Sequence, residues 1–500
     1  MKYTSILSAA LLLLLLASCA ADGEGTVTTD ANTEAGTETE AVDLDSLTEI
    51  QRRKYMKDDL PVRDFGGKAF RISARDDYDY EIDIEEATGD ICDDALFERN
   101  RYIEERFNVE IVPVYSPGTD TGADHINAVR TSITAGEDAF ELAATCAYRT
   151  GSLLVDGGFY NWLDMPYNDL SKPWWIGGVN DKFRIGDAIY TVVGDMCLTT
   201  LQFTYAIFYN RSLGANYDLN EEIFDAVENG TWTIDYFQTL IADVYSDKNG
   251  NSTRDESDLY GFVCEKYTNL DVYPFSLDIP IVSQDSDGMP ILVYNTEKLG
   301  NAIEKINELY WNTTGTCVSG DTPEAVHTAQ IFAAGNAVFT TLPLGHAFTT
   351  FRDMKDDYSI LPYPKWDEAQ KGYYTGALDN YSVLVAPVTI SDPEFTSIIT
   401  ESLNIESYKT LFPTYYEQAL QNKYARDEES VAMIDLVMQG RNFDLSTLFA
   451  SSYLGDVYWF FRGQVQENSK SYASAMKSIE KRANKNIEKI VDLYEENAEQ

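Results

Sequence analysis

Histidine, cysteine and basic residues are all scarce in this 500-residue chain. Three histidines (His125, His327 and His346) exclude a histidine-rich metal enzyme. The six cysteines form no CxxC pair and no metal-ligand spacing. Only 38 Lys and Arg stand against 82 Asp and Glu, a formal charge of −44. So few cations cannot neutralise a phosphate backbone, which argues against nucleic acid as a partner. Polyanionic ligands and anionic lipid headgroups are disfavoured on the same ground. Beyond the N-terminus no stretch has 18 apolar residues in a row, the minimum for a membrane span. GxSxG, HExxH and Walker loops are absent too. What is present is apolar material: 44% of residues, with 33 Tyr and 23 Phe. That is enough for a true core and rules out an acidic disordered chain. About 450 ordered residues call for two or more lobes.

The N-terminus reads as an export and anchoring signal. Lys2 gives a small positive start, and Ile6 to Leu16 is an apolar run with six consecutive leucines from Leu11. The run is too short to span a bilayer comfortably, since spanning needs about 20 residues. It ends in Leu16-Ala17-Ser18-Cys19, which resembles a bacterial lipobox. The resemblance implies a signal peptide at 1–18, cleavage before Cys19, and a lipid on the Cys19 thiol holding the protein on the outer face of the cell membrane. Residues 19–60 read as an acidic tether. Asp22 to Glu49 holds nine acids and no Lys or Arg, so it lacks the apolar surface to order itself and its charges repel. The remaining cysteines (Cys92, Cys146, Cys197, Cys264 and Cys317) are widely spaced and odd in number. Single buried thiols acting as small apolar residues are the expectation.

Order is expected to begin near Phe65. Phe70, Ile72 and Ala74 alternate, as in a strand. Ile91, Ala95, Leu96, Ile103 and Phe107 recur at helical spacing, and Val109 to Val112 is a second strand. A helix through Ile126, Val129 and Ile133 precedes a third strand, Phe140 to Cys146. This βαβαβ alternation predicts an α/β fold with a parallel sheet covered by helices. Tyr205 to Tyr209 is a further apolar strand. Met476, Ile479, Ala483, Ile487, Ile490 and Tyr494 mark a long amphipathic helix at the end.

Several blocks occur in a telling order: Lys172-Pro173-Trp174-Trp175, Gly186-Asp187-Ala188-Ile189-Tyr190, Ala206-Ile207-Phe208-Tyr209-Asn210-Arg211-Ser212-Leu213, Thr231-Trp232-Thr233, Phe332 to Phe339, and Tyr358-Ser359-Ile360-Leu361-Pro362-Tyr363-Pro364. Over residues 65–500 the order resembles the extracellular solute-binding proteins of ABC importers, of the sugar-binding, maltose-binding-protein-like type. The resemblance implies a two-lobed periplasmic-binding-protein-like fold (type II). Residues 61–200 plus 372–415 would form the N-terminal lobe, and 201–371 plus 416–500 the C-terminal lobe. The chain would cross near Thr199 to Phe203 and return near Gly372 to Ala377, with C-terminal helices mainly on the second lobe. It further implies a monomer that captures a sugar or oligosaccharide by hinge closure and delivers it to ABC permease subunits, with no covalent chemistry and no required cofactor.

In such folds ligands lie in the cleft at the carboxyl ends of parallel strands. A sugar needs planar hydrogen-bonding groups and aromatic rings to stack on. Arg75 and Asp76 follow the first strand, where a solvated acidic turn is the rival reading. Tyr148 and Arg149 follow the third, at a position resembling the family's aromatic and polar first-lobe contacts. Asp195 and Gln202 flank the first crossing. In the second lobe, Tyr267 and Tyr273 resemble the family's aromatic ligand segment, with core packing as the rival. His346 stands where the family carries a stacking Trp, and Asp379 and Asn380 follow the return crossing. Trp174 and Trp175 read as loop packing on the first lobe and Trp232 as packing at a helix start.

One motif has chemistry of its own. Asp247, Asn249, Asn251, Thr253, Asp255 and Asp258 place oxygens, one of them a backbone carbonyl, at the spacing of a calcium loop. Ser252 replaces the usual Gly and Asp258 the usual Glu. A structural Ca2+ or a plain polar loop both fit. Two rival functions also stand: a carbohydrate-active enzyme using a carboxylate pair, and a sensing or adhesion lipoprotein.

Overall fold

The computed structural model describes residues 47, 49–118, 122–155, 157–319, 325–421 and 428–498. The expected signal peptide, Cys19 and most of the expected tether lie outside the described residues. The chain divides into two units, 1–47 and 48–500, and the architecture below belongs to the second.

After a short helix α1 (Glu49–Arg53), the chain alternates as its periodicity predicts: β1 (Lys68–Arg75), α2 (Ile91–Phe107), β2 (Val109–Ser116), α3 (Ala123–Thr134), β3 (Leu142–Cys146) and α4 (Ala147–Leu154). The three strands are parallel with β1 central: Lys68 pairs Val109, and Ile72 pairs Leu142. Phe70 and Ile72 are wholly buried, as are Ile103 and Phe107 on the inner face of α2. Asp90 caps α2, its carboxylate accepting from the Cys92 amide, and left-handed Asn108 ends it.

A second sheet carries the middle of the chain. Its strands are β4 (Tyr205–Asn210), β5 (Tyr245–Ser246), β6 (Leu259–Glu265), β9 (Thr316–Ser319), β10 (Ala337–Pro343) and β11 (Tyr358–Leu361), in the order β11-β4-β10-β6-β5 with β9 beside β6. Here β6, β9 and β10 run parallel, while β4 is antiparallel to its neighbours. A separate hairpin, β7 (Val282–Gln284) with β8 (Pro290–Leu292), branches off. The chain then returns to the first sheet as β12 (Ser382–Val385), antiparallel to β3.

The crossing at 199–203 is a helical turn, Leu198–Gln202, and the strand-like bridge comes just after it, Thr204 opposite Ala377. Threonine hydroxyls explain the difference. Thr200 donates to the Cys197 carbonyl and Thr204 to the Thr200 carbonyl, giving the backbone local partners in place of a ladder.

The helices after β12 divide between the lobes, and Pro393–Glu406 lies in the 372–415 stretch that the resemblance assigns to the N-terminal lobe. Pro393–Glu406 packs against α2. The last helix, Tyr472–Ala498, meets Gly300 of the second lobe through Tyr472. At its other end Tyr494 packs on Tyr190 at 5.0 Å and donates to the Phe183 carbonyl, and Asn497 donates to Leu154. One hydrophobic cluster therefore includes both sheets, from Phe70 and Leu142 to Phe262 and Phe339.

Candidate functional site

The carboxyl ends of β1, β3 and β6 meet beside the returning chain. At the end of β1, Arg75 is buried. Its Nη2 donates to Ser382 Oγ at 3.0 Å and its guanidinium lies 4.1 Å from the centre of the Tyr78 ring. The Tyr78 hydroxyl accepts from Asn380 Nδ2 at 2.9 Å. Asp76 instead points outward and holds the Gly118 amide at 2.7 Å, which makes it a loop fastener.

At the end of β3 the chain turns directly into α4, and the Tyr148 amide donates to the Asp379 carbonyl at 3.1 Å. Arg149 Nε donates to the Tyr148 hydroxyl. Gly151, one turn on, lets α4 approach the C-terminal segment: a Cβ there would stand 2.5 Å from Phe449. That approach brings Trp459 edge-on to Tyr148, with ring centres 6.5 Å apart and both rings half-buried. The indole Nε1 of Trp459 is shielded from water and closes no full hydrogen bond to any described residue.

Beneath the end of β6, Arg462 makes a two-pronged pair with Asp271, at 3.0 Å and 2.5 Å, and lies 5.6 Å from the Trp459 ring. Burial works against the guanidinium charge, but Asp271 and Asp379 more than offset it and the net shift is upward. Burial raises the Asp379 carboxyl, opposed first by Arg462. The Trp459 indole N–H faces that carboxyl and lowers it as a weak donor, outside the geometry of a full hydrogen bond. The result is an aromatic corner, Tyr148 and Trp459, ringed by Arg149, Arg462, Asp379 and Asn380. Partly exposed aromatic faces with planar donors and acceptors around them suit a polyhydroxylated guest.

Other expected site residues lie elsewhere. Gln202 is turned to the Tyr415 hydroxyl at 3.4 Å. Tyr267 is half-buried at the turn leaving β6, four residues before Asp271. Tyr273 is 1% exposed and packs among Tyr310, Tyr363 and Phe461, so it is a core residue of the second lobe with no face for a ligand. His346 hydrogen-bonds Thr350 at 3.0 Å, and burial pulls its imidazole down to about 4. Asp195 is 3% exposed and faces a different cavity. Trp174 and Trp175 are buried, and their indoles donate to Glu401 at 2.6 and 2.9 Å. Trp232 is wholly buried beside the Thr233 cap. Cys92, Cys146, Cys197, Cys264 and Cys317 are all free thiols, the first four buried.

Sequence reasoning missed Tyr78, Asp271, Trp459 and Arg462. The available signal was the aromatic run Tyr458-Trp459-Phe460-Phe461, closed by Arg462.

In the 247–258 loop, Ser252 adopts φ +59, the left-handed conformation that a glycine supplies in calcium loops. Asp247 accepts from the Gly250 and Ser252 amides, and Asn249 and Asn251 each accept from an amide two residues on. The side-chain amides of Asn249 and Asn251 are turned to Asp255, and Asp258 accepts from the Tyr245 hydroxyl. Among the described residues no group of three or more His, Cys, Asp or Glu is disposed to hold a metal ion. Nor is any described helix long and apolar enough to cross a membrane.

No family model matches the sequence, and no curated protein matches it. Solved structures do match. UspC of M. tuberculosis superposes with a TM-score of 0.54 at 11% identity, over 83% of this chain and 100% of that one. The galacto-N-biose/lacto-N-biose I-binding protein of an ABC transporter from Bifidobacterium longum gives 0.53 at 10% identity, over 85% and 98%. The GacH receptor of Streptomyces glaucescens, solved free and with acarbose, gives 0.51 at 12%, over 86% and 99%. The fold is thus the two-lobed, periplasmic-binding-protein-like α/β fold of solute-binding proteins.

Proposed function

We propose that this protein is an extracellular solute receptor that captures a carbohydrate between its lobes and passes it, chemically unaltered, to an ABC importer. The observation that carries this reading is the Tyr148–Trp459 corner. It is half-exposed, lies where the carboxyl ends of parallel strands from both sheets meet, and is surrounded by Arg149, Arg462, Asp379 and Asn380. One structural neighbour is a galacto-N-biose/lacto-N-biose I-binding protein and another was solved with acarbose, which supports the ligand class. We further propose anchoring through a lipid on Cys19 and a structural calcium ion in the 247–258 loop, supported by the lipobox and by the left-handed Ser252.

The test is titration of the purified protein with an oligosaccharide panel, followed by tryptophan fluorescence and product analysis. Saturable binding of intact sugar, weakened about 100-fold in Trp459→Ala, is expected. Release of shorter products, or no binding across the panel, contradicts it. For the anchor, Cys19→Ala should move the protein from the membrane fraction to the medium, and retention on the membrane contradicts it.

A further inference from the structure

A cavity of about 250 Å3 lies beside the hinge crossings, and no residue of the aromatic corner lines it. Trp175 and Asp195 line it from the first lobe, Tyr408 and Tyr416 from the C-terminal helices, and Arg53 and Arg441 complete it. Asp435 stands in the same wall.

Arg441 is fixed by its backbone. Its neighbour Gly440 accepts from the Thr375 amide at 2.9 Å, and the Asn442 amide donates back to Thr375, on the strand that returns through the hinge. Its Nε donates to the Met438 carbonyl at 3.0 Å. Its Nη1 is shielded from bulk water and has no partner among the described residues. A shielded guanidinium N–H left unpaired is costly, and folded proteins nearly always satisfy such a group.

The rest of the wall tells what would satisfy it. Arg53 lies flat over Tyr408, 4.4 Å from the ring centre, adding a second guanidinium. Asp195 receives no hydrogen bond at its carboxyl from any described residue, and burial pushes that carboxyl up to about 7 against the pull of Arg441 and Arg53. Near neutrality it is therefore partly protonated and able to donate. Two guanidiniums against the one Asp435 carboxylate, an acid at Asp195 that can donate, and flat aromatic walls favour a small planar anion. The volume exceeds a single water, about 30 Å3, several times over.

We propose that this hinge cavity is a second small-molecule site that takes a small carboxylate, held by the Arg441 guanidinium. The site does not depend on the sugar reading, since no residue of the aromatic corner lines it.

The test uses the whole purified chain. Acetate, lactate and succinate are titrated separately by calorimetry at constant ionic strength, with chloride as the balancing anion and sulfate as a comparison arm. Saturable binding of at least one carboxylate, with a dissociation constant below about 10 mM, is expected. Arg441→Gln should weaken it at least tenfold. Arg441→Lys keeps the charge but loses the planar fork, so it should fold and still bind more weakly than the native chain; it decides the matter if Arg441→Gln does not fold. No saturable binding, unchanged affinity in the Arg441 variants, or sulfate binding tighter than every carboxylate would overturn the proposal. Sugar titration of the same variants is the control: it should be unchanged, so failure here is separable from failure at the aromatic corner.

Discussion

Two tryptophan sites in this molecule look alike in sequence and differ in use. Trp174 and Trp175 are each 2% exposed and both indoles donate to one carboxylate, Glu401. Trp459 is half-buried, its indole N–H faces Asp379 without closing a full hydrogen bond to any described residue, and its ring meets Tyr148. The first site is satisfied internally and serves the fold. The second leaves part of its ring exposed, which the fold alone does not require.

The comparison breaks most visibly through stability. Trp174→Ala should cost about 3–5 kcal/mol, because a large buried ring is lost and Glu401 loses a donor. Urea unfolding measures this, and a loss below about 1 kcal/mol would show that the pair is not structural.

The Glu401 carboxyl sharpens it next. Burial pushes that group up to about 7 despite the donors Asn168, Trp174 and Trp175. The native state therefore holds this proton more tightly than the unfolded chain does. The contribution is complete below the ordinary glutamate range near 4.5 and is lost as pH rises through about 7. At about 1.4 kcal/mol per unit, up to about 3 kcal/mol is at stake. Unfolding measured from pH 5 to pH 8 should therefore fall more steeply for the native chain than for Glu401→Gln. Equal slopes would contradict the buried-acid account.

At the other site, Trp459→Ala should weaken sugar binding about 100-fold, or about 3 kcal/mol, while leaving the melting temperature nearly unchanged. Tyr148→Ala should weaken it about tenfold, since that ring forms the edge of the corner. Unchanged affinity in both variants would mean the corner is not the binding surface. The smallest effect is expected from chelation: if the 247–258 loop takes calcium, a chelator should lower the melting temperature by a few degrees, and identical melts would contradict it.

The sequence showed some of this directly. Alternation at Phe70, Ile72 and Ala74 and helical spacing from Met476 to Tyr494 are local patterns, and both elements stand where the patterns put them. Tyr148, Arg149 and Asp379 were legible because a strand end places whatever follows it. Trp459, Arg462 and Asp271 were not, because their meeting with Tyr148 depends on Gly151 admitting a segment some 300 residues away. Tyr273 shows the opposite limit. An aromatic in a matching block faces either core or cleft depending on one turn of a short helix, Val272–Ser276, and here it faces core. The threonines at the crossing favour strand by type, yet their hydroxyls close a helical turn.

The most direct measurement is a crystal structure of the protein grown with the oligosaccharide it binds best. The account requires an intact sugar ring against the Trp459 face, within about 4 Å, with Arg462 or Asp379 on its hydroxyls. A sugar seated away from Tyr148 and Trp459, or one found cleaved, would contradict it.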